Sequence, residues 1–384
     1  MGRPRLYLDT AAAAPLRPEA AAAMERVLAT LHGNPSSPHA EGRAAKDALE
    51  DARSRAAAAL GCRPREVIFT SSGTEAANLG VRGAALARAA VGHRVLLSAV
   101  EHPCVLEAAK ALAPAGFQLA LVPVDEQGRV DAQVFLDAAT PDTALACLML
   151  ANHETGNVYP VATVAEGLRR QRIPLLVDAS LAFGRLPVRL AELGADLLVL
   201  SGHKLGGPKG SGALIVRRPT RVEPLLVGGL QEERLRAGTE NLAAAVGLAA
   251  ALEACQREQA SAAQRLEAGV SAFLDALAAL AGWRRLGDPT RALPGLVTLE
   301  LDGVEGEAVM INMDLAGCAV ATGSTCALGG TDVSPSLLAM GLSARRAAST
   351  IRVSPGPDAT QDALVGGAHA LRAAVERLRS LARR

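Results

Sequence analysis

Seven short apolar runs, at residues 67–70, 94–98, 118–122, 144–150, 175–178, 195–201 and 213–216, recur along the middle of this 384-residue chain. Helical stretches separate most of the first six. Each is long enough to carry the chain back across a sheet, so these strands are expected to pair in parallel. The last two lie too close for an intervening helix and are expected to run antiparallel. The pattern dictates a doubly wound α/β sheet, in which ligands gather at the carboxyl ends of the strands. Upstream, residues 18–31 and 39–60 have helical periodicity, joined by the turn-rich loop Gly33-Asn34-Pro35-Ser36-Ser37-Pro38. Downstream, a long alanine-rich helix starts at Thr239-Glu240-Asn241. After about residue 256 come strands near 296–301, 319–321 and 350–353 and a closing helix from Asp358, a smaller α/β domain. The expected division is a large domain over 15–255 and a small one built from 1–14 with 256–384.

Bulk properties remove several classes of function. A formal net charge of +1 offers no electrostatic reason for nucleic acid or a membrane surface, and 2% aromatics leave few platforms for base stacking. The six cysteines contain no CxxC pair and no metal-finger spacing, so no metal is expected. Most of them read as small buried hydrophobes in a reducing, cytoplasmic setting. The longest apolar stretch, 242–255, includes Glu253 and is shorter than the roughly 20 residues of a membrane span. The start of the chain lacks a signal-peptide pattern, because the apolar residues 11–14 run at once into Pro15.

The chain is rich in arginine and holds four lysines: Lys46, Lys110, Lys204 and Lys209. Lys204 follows an apolar strand, in Ser201-Gly202-His203-Lys204-Leu205-Gly206-Gly207. A surface lysine in a solvated turn is the ordinary reading of such a place. In so arginine-biased a chain, a lysine there points to chemistry that arginine cannot perform. A lysine amine with a lowered pKa forms a Schiff base, while a guanidinium stays protonated. An aldehyde cofactor, pyridoxal 5'-phosphate, fits that requirement.

Other candidates also follow predicted strands. Thr70-Ser71-Ser72-Gly73-Thr74-Glu75 opens a helix whose free N–H groups suit a phosphate, or serves as a plain N-cap. Asp178 is either a cap or a carboxylate for the pyridine nitrogen of the cofactor. His102, after Glu101, is by itself more often structural, and Asn152-His153-Glu154-Thr155-Gly156 is unusually polar for a strand end. Cys326, alone among the cysteines, lies in a small-residue, glycine-flanked loop that suits a mobile nucleophile. Arg352 is a charge inside a strand pattern, which signals an ion pair or a bound carboxylate.

Taken in order and spacing, these segments resemble the cysteine desulfurases of the fold-type I, class V aminotransferase-like enzymes. The likeness runs from Leu6-Tyr7-Leu8-Asp9 through Gly33–Ser37, 70–78, 101–102, 152–156, 178–179 and 201–212. It continues through Gly228-Gly229-Leu230-Gln231-Glu232, 236–239, 323–326 and 351–352. The resemblance implies an α/β fold of the pyridoxal-phosphate transferase type, a mostly parallel large domain with a smaller C-terminal α/β domain. It implies that Lys204 carries the cofactor, His102 stacks on its ring and Asp178 meets the pyridine nitrogen. Gly73, Thr74, Ser201 and His203 would bind the phosphate, with Thr239 from the second subunit of a homodimer. Asn34 and Arg352 would hold the carboxylate of L-cysteine, and Cys326 would take its sulfur as a persulfide, leaving alanine. The attacking sulfur must be a thiolate, and His102 is the candidate base. A sulfur-acceptor protein, an iron–sulfur scaffold or a thiolation enzyme, would follow.

Two positions depart from the family pattern. Asparagine is common where this chain has His153, and glutamine where it has Leu181; both usually hydrogen-bond the cofactor's phenolic oxygen. Histidine can donate that bond and leucine cannot. Alternative readings are a selenocysteine lyase, another class V aminotransferase-like enzyme, or a degenerate scaffold without catalysis. Cys326 argues against an aminotransferase, which needs no cysteine on a loop. The joint presence of Lys204, Asp178, His102 and Cys326 argues against the scaffold.

Overall fold

The computed structural model describes residues 5–323 and 333–382; Cys326 lies outside them. A two-residue strand, β1 (Leu6–Tyr7), precedes the central sheet. That sheet is built from β2 (Val67–Thr70), β3 (Arg94–Ser98), β4 (Gln118–Val122), β5 (Thr143–Cys147), β6 (Leu175–Asp178), β7 (Leu197–Ser201) and β8 (Gly212–Val216). Its strand order is β2-β8-β7-β6-β5-β3-β4. Five of these strands, β4-β3-β5-β6-β7, pair in parallel along the sheet, and β8 runs against both β7 and β2. The antiparallel turn at 202–211 is thus as the short spacing requires.

Side chains alternate across the sheet and feed two cores. Leu197 and Val199 join one core, with Ala76, Leu79 and Val81 of the helix Gly73–Leu86 and Val105 of the helix Pro103–Lys110. Leu198 and Leu200 join the other, with Val164 and Leu168 of the helix Val161–Arg170, Leu49 of the helix Ala40–Leu60 and Leu252 of the helix Leu242–Ala276. Helices cover both faces, the arrangement that near-continuous apolar strands require. The strand expected over 144–150 is assigned over Thr143–Cys147, although the Leu148 and Leu150 N–H groups still donate to the Leu176 and Asp178 carbonyls of β6.

The remaining strands are β9 (Trp283–Leu286), β10 (Val297–Leu301), β11 (Cys318–Ala319), β12 (Ala321–Thr322) and β13 (Thr350–Val353). They form a second sheet in the order β12-β13-β10-β9, while β1 pairs with β11 in parallel. A third core gathers Leu299, Ile351 and Val353 with Phe273, Leu371 and Val375. The helix Leu242–Ala276 starts at Asn241, whose side chain caps the Ala244 N–H. It gives residues to the second core through Leu248 and Leu252 and to the third through Val270 and Phe273. The closing helix, Gln361–Ala382, starts three residues later than expected. No helix among the described residues is long and apolar enough to cross a membrane.

One buried ion pair fixes the segment that carries Thr239. Arg53 donates from Nη1 and Nη2 to the two carboxylate oxygens of Glu232, both at 2.8 Å, and from Nη1 to the Val67 carbonyl at 2.7 Å. The Phe69 N–H adds a bond to Glu232 at 2.8 Å, and the Arg53 guanidinium lies 5.0 Å from the Phe69 ring centre. Around this pin, Glu232, Glu233 and Arg234 hold φ values of 46°, 55° and 68°, a left-handed run that non-glycine residues adopt only when their surroundings enforce it. Arg53→Met strands the Glu232 carboxylate in the interior and is expected to cost about 3–5 kcal/mol in denaturant unfolding. Adding Glu232→Leu removes the stranded charge and should restore most of that loss.

Candidate active site

Because β8 opposes both β2 and β7, the carboxyl ends of β2, β3, β5, β6 and β7 share one edge of the sheet. Gly73, His102, His153, Asp178 and Lys204 all follow those ends, where parallel sheets place their ligands.

Lys204 ends a short 3₁₀ turn after β7. Its Nζ donates to the Ala11 carbonyl at 2.5 Å and the Ala12 carbonyl at 2.8 Å. Burial, and then the positive charge of Arg352, push the amine down to about 8, although Asp9 and Asp178 pull the other way. Asp178, at the end of β6, accepts from the Ser180 N–H at 2.9 Å through Oδ1. Arg352, on β13, donates to Asp9 and to the His153 carbonyl, each at 2.9 Å. Its Nε is buried with no partner among the described residues.

His102 caps the helix Pro103–Lys110, and its Nδ1 accepts from the Cys104 N–H at 3.1 Å. The ring proton therefore sits on Nε2. Burial and the neighbouring His153 push the imidazole down to about 4, so it is neutral in ordinary buffers. In this state the ring presents a flat face and one N–H donor, with its lone pair already engaged. His153 lies edge-on to it, with ring centres 4.9 Å apart.

The N-terminus of the helix Gly73–Leu86 is a second polar centre. Ser72 caps the Glu75 N–H through its hydroxyl, and the Gly73 and Thr74 N–H groups have no intrahelical acceptor. A Cβ on Gly73 would come 2.7 Å from Ser201 Cβ, and one on Gly212 would come 2.4 Å from the Ser72 carbonyl carbon. Only glycine lets the helix end approach β7 and β8 so closely. Ser201 Oγ lies 3.1 Å from His203 Nδ1. Backbone donors, a hydroxyl and an imidazole thus converge on a helix N-terminus, the chemistry that holds a phosphate. Burial and then Lys204 and Lys209 lower the His203 pKa.

Not every expected residue joins this cluster. Asn34 is exposed, and its Oδ1 accepts from the Ser36 N–H at 2.9 Å. Thr239 is exposed and lines a cavity of about 140 Å³ with Ser71, Gly212, Arg236 and Glu240, beside the cradle. Leu181 is 7% exposed and packs into the core.

Two carboxylates escaped the sequence reading as individual groups. Glu101 is 1% exposed and binds Ser98 Oγ at 2.9 Å and the Met149 N–H at 2.8 Å, tying β3 to the loop after β5. Burial pushes its carboxyl up to about 8, and its Oε2 has no partner among the described residues. Glu154 sits against His153, with Oε1 3.4 Å from Nε2, and its Oε2 accepts from Ser334. The only signal for either was a carboxylate directly after a strand and beside a histidine.

The donor set fits pyridoxal 5'-phosphate. A lysine amine poised near neutrality, a carboxylate, a flat neutral ring and an anion cradle lie along one sheet edge. Residues 6–364 match the aminotransferase class-V family, and the chain belongs to it. Enzymes of this family use pyridoxal phosphate. Among curated relatives, the chain is 38% identical to a putative cysteine desulfurase, IscS 1, of Bacillus subtilis, over 97% of this chain and 99% of that one. It is 37% identical to the cysteine desulfurase IscS of Dictyoglomus turgidum, over 98% and 96%. Among solved structures, a NifS-like protein superposes with a TM-score of 0.89 at 29% identity, covering 99% of both chains. SspA in complex with cysteine superposes with a TM-score of 0.81 at 30% identity, over 92% of this chain and 99% of that one.

A depressed amine holds more free base at a given pH than an ordinary lysine, whose pKa is about 10.4. In cofactor-free protein, the acylation rate of Lys204 is expected to level off just above pH 8, as followed by peptide mass spectrometry. A rate still climbing toward pH 10 would contradict the lowered amine.

Proposed function

We infer that this chain is a pyridoxal-phosphate-dependent cysteine desulfurase, which converts L-cysteine to L-alanine and passes the sulfur to Cys326 as a persulfide. The observation that carries the reading is the meeting of Lys204, His102 and Asp178 at one sheet edge beside the Gly73–Ser201 cradle. The relatives named cysteine desulfurase, and the cysteine bound in the SspA structure, support the choice of substrate.

When bound, the cofactor supplies an aldehyde and an electron-withdrawing ring that stabilises negative charge at the substrate Cα. Lys204 holds it covalently and, once displaced, moves the proton at Cα. Asp178 would keep the pyridine nitrogen protonated, and the flat face of His102 would stack on the ring. Gly73, Thr74, Ser201 and His203 would hold the phosphate. Arg352 and Asn34 would hold the substrate carboxylate; Arg352 has a buried Nε to spare and would have to share its bond to Asp9. In the transfer, the Cys326 thiolate attacks the substrate sulfur, an S–S bond forms and the C–S bond breaks. The carbon takes the electron pair and a proton and becomes the methyl of alanine. No outside oxidant or reductant enters.

The same reading divides the chain into a large domain over 15–255 and a small one from 1–14 with 256–384. It places the enzyme in the cytoplasm as a homodimer in which Thr239 completes the partner's phosphate site. Its sulfur goes to an acceptor protein, an iron–sulfur scaffold or a thiolation enzyme.

Purified protein given L-cysteine and a reductant should release alanine and sulfide in equal amounts. Lys204→Ala should lose both products, and borohydride should no longer fix the cofactor to the chain; retained fixation would move the role to Lys209. Cys326→Ser should keep the cofactor and lose product by orders of magnitude, because a serine hydroxyl is not ionised near neutral pH. Near wild-type turnover in that variant would assign the acceptor to another thiol.

A further inference from the structure

Two arginines described above carry their own counter-charge: Arg53 has Glu232 and Arg352 has Asp9. Arg185, in the segment after β6, does not. It is 9% exposed, and its partners among the described residues are all neutral. Nη1 donates to the Pro294 and Gly295 carbonyls, both at 2.9 Å. Nη2 donates to Thr10 Oγ1 at 2.8 Å and to the Pro355 carbonyl at 3.4 Å. These bonds satisfy N–H groups without neutralising the charge, and a buried charge that nothing neutralises is costly. Burial, and then the like charge of Arg352, push the guanidinium down to about 10, which leaves it protonated in ordinary buffers. Nε has no acceptor among the described residues, and the Pro355 bond is long. The Nε–Nη2 edge is one of the forks on which a guanidinium takes a carboxylate, and it has donor capacity left.

Arg185 lines a cavity of about 310 Å³. Thr10, which accepts from Nη2, and Gly356, next to Pro355, are in the same wall. The volume lies at the low end of small-molecule sites, which run from about 300 to 1,000 Å³. Much of the lining is apolar, with Leu16, Phe183, Leu205 and Leu266. The other cations in it are already engaged. Arg17 donates to Glu258 at 2.9 Å and to the Leu205 carbonyl at 3.2 Å, and Lys204 to the carbonyls of Ala11 and Ala12. Asp358 is the carboxylate of the lining, and it is exposed. None of Gly73, His102, Asp178 and Ser201 lines this space, so it is distinct from the cofactor cradle, with Lys204 between the two.

We propose that this cavity binds a small carboxylate with an apolar tail, its head on the Nε–Nη2 edge of Arg185 and its tail against Leu16, Phe183 and Leu266. One guanidinium edge with an apolar wall suits a monocarboxylate, whereas the phosphate chemistry of this chain lies at the Gly73–Ser201 cradle. An occupant there rests on residues 10–14, whose carbonyls hold the Lys204 amine, so the site adjoins the catalytic lysine from behind. The inference does not depend on the desulfurase reading, since no cysteine chemistry enters it or its test.

The probe is octanoate, added to the full-length protein as purified and followed by calorimetry. It should bind saturably, in the millimolar range or tighter. Octan-1-ol, with the same tail and no charge, should bind far more weakly. Arg185→Met should weaken octanoate about tenfold or more. Because Arg185 also ties Thr10 to Pro294 and Gly295, Leu16→Glu serves as a second variant. Leu16 is 46% exposed, and a carboxylate placed there should repel the probe and leave the fold intact. Bound octanoate should slow amide hydrogen exchange in 183–185 and 356–359 and leave 73–75 and 101–104 unchanged. No saturable binding, equal binding of octanol, or undiminished binding in a folded Arg185→Met or in Leu16→Glu would each overturn the proposal. Protection of 73–75 and 101–104 instead would put the carboxylate in the active site and overturn it too.

Discussion

Three parts of the chain meet on one guanidinium. Arg352 belongs to the second sheet, Asp9 to the N-terminal segment and the His153 carbonyl to the loop after β5 of the central sheet. A single planar donor with bonds in fixed directions therefore sets the relative position of all three. Lys204 depends on the same tie. Its amine reaches the carbonyls of Ala11 and Ala12, close in sequence to Asp9, and the charge of Arg352 is one reason that amine is lowered. Arg352 thus acts at once as a structural joint and as an electrostatic neighbour.

Around that joint, burial sorts the titratable groups toward their neutral forms. His102 is driven down to about 4, Lys204 down to about 8 and Glu101 up to about 8. Desolvation leads in each case, and the direction follows only from the sign of the charge being disfavoured. Glu154 is the exception, since two hydrogen bonds and a nearby guanidinium outweigh its burial. A site of this kind keeps acids and bases available near neutral pH without needing an unusual residue. What matters is which groups are given partners and which are left without.

The sequence revealed the central sheet well, because buried parallel strands read as continuous apolar runs bounded by turns. It was less informative about the second sheet. The strand β9 carries Arg284 and Arg285 in a four-residue stretch and gives no apolar signal, although it pairs with β10 along its whole length. The strand ends followed from the alternation of apolar runs, while Lys204 was singled out by the scarcity of lysine and His102 and Asp178 received their roles from the family resemblance. Their states were not legible. Whether His102 has a free lone pair depends on a backbone N–H two residues away, and whether His153 does depends on where the next side chain folds back. Glu101 and Glu154 went unweighed for the same reason.

The double duty proposed for His102, helix cap and stacking face, bears on how this protein tolerates change. As a helix cap, its ring nitrogen accepts one N–H bond, a service that serine, aspartate or asparagine performs at least as well. A library screened only for thermal resistance would therefore welcome those replacements and discard the aromatic face without any penalty. Selection for folding and selection for chemistry pull on this position independently. A stabilised descendant of this chain would need an activity screen to retain its histidine.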